Sequence, residues 1–324
     1  MEINEKLIKV WSTIGPRATF GMAALEFSKK YDDLVVLTSD VSTSAGLDRF
    51  RKTYPEKYLD VGIAEQNMIG IAAGLSSEGF KVITTTFSPF QTARCCEQIK
   101  VNLGYMKHKV CMVGLASGLV LGTLGYTHCS IEDIGILRSI PSISIISPAD
   151  SLETVKAIEA AIDHENSCYI RLTGSANNPI IYEKDYNFQI GKSIKLRDGK
   201  DVSIICSGAI VSECLKASEI LEKKGLSCEL INMHTIKPID KKAVQEATKK
   251  KLIVTVEEHN IFGGLGSAVA ECKSEIRNSP KQIFIGVNDI YDKGGEYTFL
   301  KEKHGLSSEK IVETIQLNYN KDVI

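Results

Sequence analysis

The chain has 324 residues, and its 39 Lys and Arg against 40 Asp and Glu leave a net charge of -1, which excludes a field suited to nucleic acid or to an anionic membrane. With 43% hydrophobic and 24% charged residues it is composed like a globular protein, long enough for two domains whose cores need no disulfide or metal. The nine cysteines form an odd set with no C-x-x-C, and Cys95 and Cys96 are adjacent, so free, mostly buried thiols in a reducing compartment are expected. The charged opening MEINEKLIKVW does not read as a signal peptide, and no apolar run approaches the roughly 18 residues of a membrane span. A cytoplasmic protein with neither a nucleic-acid nor a membrane partner is expected.

In chain order, apolar residues at helical spacing predict a helix over 18–30, and LVVLTS (34–39) reads as a fully buried strand with Asp40 at its carboxyl end. The pattern then gives a helix over 64–76, a strand over 81–87, a helix over 90–103 and a strand within 108–117. A glycine-rich loop, 118–133, leads to a helix expected to start near Ser130 through the pair Ser130 and Asp133. A strand within 143–150, a helix over 151–161 and a strand over 168–174 carrying Arg171 complete the first unit. Strand alternates with helix throughout, which predicts an α/β fold with a parallel sheet covered on both faces. A second, smaller α/β unit repeats the style, with strands at 201–208, 226–233, 251–259 and 282–287 and a closing helix after Ser307 or Ser308. The expected division is 1–178, a linker at 179–198, and 199–324.

Chemistry concentrates in 58–94. Glu65 sits among Ile63, Ala64, Met68 and Ile69, neighbours that argue for a buried carboxylate in need of a partner rather than a solvated acid in a first helical turn. Phe87 and Phe90 follow the next strand and face either a pocket or the core. Asp40, before the small polar run 41–44, stands where ligands bind in open α/β sheets, and is equally a turn residue or cap. His128 lies in a loop before a helix, where it is either a proton donor or acceptor or an incidental surface residue. Gly263–Gly264–Leu265–Gly266 lacks the third glycine of a dinucleotide fingerprint and reads as a tight strand-to-helix turn.

Taken together, D-V-G-I-A-E-Q-N (60–67), T-F-S-P-F (86–90), G-Y-T-H-C-S-I-E-D (125–133), R-S-I-P (138–141) and S-P-A-D (147–150) resemble the pyrimidine-binding domain of transketolase-type enzymes. I-K-P-I-D (236–240), V-E-E-H (256–259) and G-G-L-G-S (263–267) resemble the carboxyl-terminal domain of the same family. The resemblance implies thiamine diphosphate and Mg2+ as cofactors. The glutamate matched by Glu65 hydrogen-bonds N1′ of the aminopyrimidine and so promotes loss of the thiazolium C2 proton, and the ring then serves as an electron sink. By the same resemblance Phe87, Phe90, Asp40 and Ile63 border the cofactor. His128 meets donor oxygens, and Arg17, Ser44 and Arg171 bind the substrate, gripping its phosphate.

No G-D-G, the mark of the diphosphate- and metal-binding domain, occurs in the sequence. The resemblance therefore implies the carboxyl-terminal half of a split transketolase. An amino-terminal subunit would hold the diphosphate and Mg2+ around a homodimer core in an α2β2 assembly, and this chain would hold no metal itself. Three departures from the family pattern, Leu124, Ala116 and Ala93, point to a non-standard sugar phosphate in a two-carbon ketol transfer. Alternative readings are a subunit like 1-deoxyxylulose-5-phosphate synthase, a 2-oxo acid dehydrogenase β subunit, and a non-catalytic partner.

Overall fold

A computed structural model describes residues 3–321. Strands are numbered in chain order: β1 (Leu34–Thr38), β2 (Tyr58–Asp60), β3 (Lys81–Phe87), β4 (Val110–Leu115), β5 (Ile143–Ile146), β6 (Ser167–Arg171), β7 (Ile194–Arg197), β8 (Val202–Cys206), β9 (Cys228–Asn232), β10 (Thr235–Lys237), β11 (Leu252–Asn260) and β12 (Lys281–Val287). Seven of them form one sheet in the order β10-β5-β6-β4-β3-β1-β2, and five form a second in the order β12-β11-β8-β9-β7. The first is parallel except where β10 joins β5, and the second is parallel except where β7 joins β9. The strands β4, β5, β6 and β8 are buried along their whole length, as expected when helices cover both faces of a sheet.

The α/β architecture is the expected one, and three local differences have physical causes. The first helix runs Glu5–Lys30 rather than starting at 18, with Asn4 accepting the Leu7 N–H as its cap. Pro16 fits inside it because Gly15, at φ 80°, breaks the helix just before. The segment expected as one helix over 90–103 is instead Ser88–Gln91, Cys96–Gln98 and a π-helical turn Ile99–Tyr105. The Thr92 hydroxyl donates to Ser88 O inside this break. The helix expected near Ser130 begins at Asp133, because Ser130 is paired with Gly118 through both its N–H and its C=O and is not free to cap. The Asp133 side chain is used elsewhere, as described below. Strand β7 lies inside the stretch 179–198, and β10, only three residues long, crosses from the second unit to the edge of the first sheet.

The units share a continuous apolar cluster, in which Ile134 and Ile145 of the first pack with Met233, Ile236 and Leu265 of the second. A buried polar knot joins them as well. Asp150 caps the helix Ser151–Ile162 by accepting the Glu153 N–H, and its other oxygen accepts from the N–H groups of Ile181 and Tyr182. The Glu153 carboxylate takes the Tyr186 hydroxyl and the Asn232 amide on β9. One close approach sets a corner that matters later: a Cβ on Gly21 would lie 2.1 Å from Gly46 O, so only glycine lets the first helix press onto the loop 42–47. All nine cysteines are free, and no helix among the described residues is long and apolar enough to cross a membrane.

Candidate active site

The carboxyl ends of β1 to β4 bring the expected residues to one end of the first sheet: Asp40 follows β1, the helix Glu65–Ser77 follows β2, Ser88 to Phe90 follow β3, and the His128 loop follows β4. Glu65 opens its helix and is only 4% exposed. Arg94 Nη1 donates to Glu65 Oε1 at 2.7 Å, whereas Oε2 has no hydrogen-bond partner among the described residues. The Arg94 guanidinium lies 4.0 Å from the centre of the Phe90 ring, a cation–π stack. Phe90 in turn meets the His128 ring edge-on at 5.3 Å, and Phe87 stands 6.4 Å from Phe90 and 6.3 Å from His128. Glu65, Arg94, Phe90, His128 and Phe87 thus form one contiguous patch.

Arg94 is the residue that sequence reasoning missed. The neighbouring Ala93 is one of the departures from the family pattern named above, yet a guanidinium is supplied one position later, four residues after Phe90. That spacing is the signal that was available. His128 is half-buried, with Nδ1 3.0 Å from the Thr127 hydroxyl, and its Nε2 has no hydrogen-bond partner among the described residues. Ile63 stands on the rim, 77% exposed. Asp40 is exposed and adopts a left-handed backbone, φ 56°, held by its N–H on Asp60 Oδ1 at 3.0 Å. Burial tends to raise the Asp60 carboxyl, but the N–H groups of Asp40 and Gly62 and the hydroxyls of Thr38 and Tyr58 outweigh it and hold it below the usual range.

Arg17 and Ser44 meet at the corner made by Gly21 and Gly46, where with Ile14 and Thr43 they line a cavity of about 360 Å³. Burial lowers the Arg17 pKa, and no acid pairs with its guanidinium among the described residues. Such a half-buried, unpaired cation is suited to an anion.

Arg171, the other arginine expected to meet substrate, is tied largely into the interior. Its side chain is 2% exposed, and two of its three nitrogens are engaged internally: Nε on Asp133 Oδ2 at 2.8 Å, and Nη2 on the carbonyls of Ser130 and Glu258 at 3.0 and 2.8 Å, while Nη1 has no hydrogen-bond partner among the described residues. Asp133 Oδ2 also accepts from the Tyr169 hydroxyl at 2.7 Å. The glycine turn at 263–266 is likewise filled from within. The Glu257 carboxylate accepts the N–H groups of Leu265 and Gly266 at 2.6 and 2.8 Å, so the start of the helix Leu265–Ser274 is already capped.

A seven-stranded, mostly parallel sheet with an acid and an aromatic pair at its carboxyl ends, followed by a second α/β unit, is the frame in which the family is shown. Residues 12–178 match the family "Transketolase, pyrimidine binding domain" and residues 191–311 match "Transketolase, C-terminal domain". The chain belongs to the transketolase family and corresponds to the carboxyl-terminal section of its split members. It is similar to the 6-deoxy-6-sulfo-D-fructose transketolase subunit SqwH of Clostridium sp. (strain MSTE9), with 39% identity over 91% of this chain and 92% of that one. It is similar also to a subunit of the apulose-4-phosphate transketolase of Phocaeicola vulgatus, with 37% identity over 93% of this chain and 96% of that one. Among solved structures, one described as "Split gene transketolase, inactive beta4 tetramer" superposes with a TM-score of 0.86 at 33% identity, covering 95% of this chain and 98% of the other.

Proposed function

We propose that this chain is the carboxyl-terminal subunit of a split, thiamine diphosphate-dependent transketolase that moves a two-carbon ketol unit from a ketose phosphate to an aldose. The diphosphate and Mg2+ are held by an amino-terminal subunit, and the active site lies between chains in an α2β2 assembly around a homodimer core. The observation that carries the reading is the half-satisfied carboxylate of Glu65, with one oxygen held by Arg94 and the other without a partner among the described residues, beside two phenylalanine rings. A buried acid with one open oxygen next to apolar faces fits a flat, nitrogen-bearing heterocycle. Similarity to subunits named for sulfofructose and apulose-4-phosphate supports a non-standard sugar as substrate.

When bound, thiamine diphosphate supplies a carbon nucleophile and an electron sink for cleaving a bond next to a carbonyl. Glu65 shares a proton with N1′ of the aminopyrimidine through Oε2, while Arg94 keeps Oε1 in place. Phe87 and Phe90 cover the pyrimidine and exclude water, with Ile63 and Asp40 at the rim. His128, whose Nδ1 is engaged with Thr127, presents Nε2 to the donor oxygens and moves a proton there. Arg17 and Ser44 hold the substrate phosphate.

The test is co-purification with a partner subunit carrying a G-D-G motif, followed by calorimetric titration with thiamine diphosphate and Mg2+ and an assay on ketose phosphates. The expected result is saturable cofactor binding by the pair and ketol transfer without CO2. A pair that never binds cofactor, or that releases CO2 from pyruvate instead, overturns the reading. Arg17→Ala is expected to raise KM for a phosphorylated donor by about tenfold to a hundredfold, the value of one charge-assisted contact, and to leave an unphosphorylated donor unaffected. Equal effects on both donors would remove Arg17 from the phosphate site.

A further inference from the structure

The loop that carries His128 belongs to the first unit by sequence, yet its supports belong to the second. At its base, Gly118 and Ser130 exchange both backbone hydrogen bonds, which closes the loop into a ring. The Leu119 N–H, just inside that closure, donates to Glu258 Oε1 at 2.7 Å. Gly118 has φ +69°, and a Cβ there would stand 2.2 Å from the same Oε1, so the carboxylate is pressed against the backbone of the loop. The other oxygen, Oε2, accepts from the Tyr297 hydroxyl at 2.7 Å. The carbonyl of Glu258 accepts from the Arg171 Nη2 that also binds Ser130 O. Farther along the loop, the Gly295 N–H donates to Gly122 O at 2.9 Å, and the Tyr126 hydroxyl lies 2.9 Å from His304 Nε2. His128 stands between Tyr126 and Ile131, whose carbonyl accepts the Asn260 N–H at 2.8 Å, so fixed points of the second unit bracket it.

Strand alternation explains how one dipeptide serves both sides. Successive residues of β11 face opposite ways, so Glu257 caps the helix Leu265–Ser274 within its own unit while Glu258 reaches the loop of the other. A surface role does not account for Glu258, which is 2% exposed. Burial pushes its carboxyl above the ordinary range, against the hydrogen bonds from Tyr297 and Leu119 and the nearby Arg171 charge. A group kept buried at that cost has its partners as its compensation.

We propose that Glu258 is a positioning residue: through Leu119 it braces the 118–130 loop so that the second unit sets the place of His128 in the active site. The consequence for catalysis rests on the reading of His128 given above. The brace itself does not, and the test separates the two.

The test compares Glu258→Ala with Glu258→Gln. The glutamine keeps a carbonyl acceptor for the Leu119 N–H and an amide in reach of the Tyr297 oxygen, whereas alanine keeps neither. Hydrogen exchange of 119–130 is measured in the full chain, and kcat and KM in the complex with the amino-terminal subunit. The expected result for alanine is at least tenfold faster exchange in that segment and at least tenfold lower kcat, with thiamine diphosphate affinity changed less than twofold. Glutamine is expected to restore both readouts to within about threefold of the native chain, the margin of one neutral hydrogen bond kept. Tyr297→Phe removes a single hydroxyl and leaves the ring, so it reports even if the alanine variant does not fold, with a twofold to fivefold rise in exchange expected. Native exchange in 119–130 for both Tyr297→Phe and Glu258→Ala overturns the brace whatever the activity. Faster exchange with unaltered kcat upholds the brace and overturns the role of His128.

Discussion

Glu65→Gln is expected to leave the chain folded and able to join its partner, and to lower the rate of C2-proton exchange in bound thiamine diphosphate by about 10²–10⁴-fold, the range that a positioned acid–base group contributes. The amide matches the carboxylate in shape and can still accept from the charged Arg94 at its oxygen, so the ion pair weakens to a single-charge hydrogen bond while the helix Glu65–Ser77 keeps its start. What is lost is a group able to exchange a proton with N1′. Exchange followed by NMR after quenching in deuterated buffer measures this step without any sugar. An unchanged exchange rate would remove Glu65 from the proton-sharing role, and loss of folding by circular dichroism would instead assign it to structure.

The second large effect is on stability. Asp133→Ala leaves the guanidinium of Arg171 buried without its counter-charge and the Tyr169 hydroxyl without an acceptor, and is expected to cost about 3–5 kcal/mol. Urea titration of the full chain measures it as a fall in the midpoint at constant slope. Asp133→Leu combined with Arg171→Met is expected to recover most of the loss, because a buried pair replaced by apolar groups of similar volume no longer carries the cost of dehydrating two charges. If Arg171→Met leaves the midpoint unchanged, the guanidinium is not the structural element that its contacts make it.

Much of this was legible in the residues and some was not, for reasons that differ by element. The strand β3 was readable to the residue because KVITTTF is β-rich and bounded by Gly79 and Pro89, and its end places Phe87 and Phe90. Glu65 was readable as buried from its apolar neighbours. Its partner was not, because Arg94 lies across a broken helical segment whose interruption at 92–95 has no strong breaker in the sequence. The partner of Arg171 was hidden for a complementary reason. A charged residue at the carboxyl end of a strand looks the same whether it faces a ligand or a buried acid, and Asp133 is brought to it only by packing. Ser130 followed a capping pattern, but the loop closure with Gly118 took the backbone groups a cap would need free. The three residues of β10 carry too little pattern to signal that they cross to another sheet.

That crossing strand has a consequence for how the chain can be divided. By pairing antiparallel with β5, β10 occupies an edge of the first sheet that would otherwise present a row of open N–H and C=O groups. The sequence boundary between the units, in the gap between 178 and 191, is therefore not a mechanical one. A fragment ended there would expose the flank of β5 together with the apolar surface of Ile134 and Ile145, two features that favour self-association. The second unit acts as an edge guard for the first.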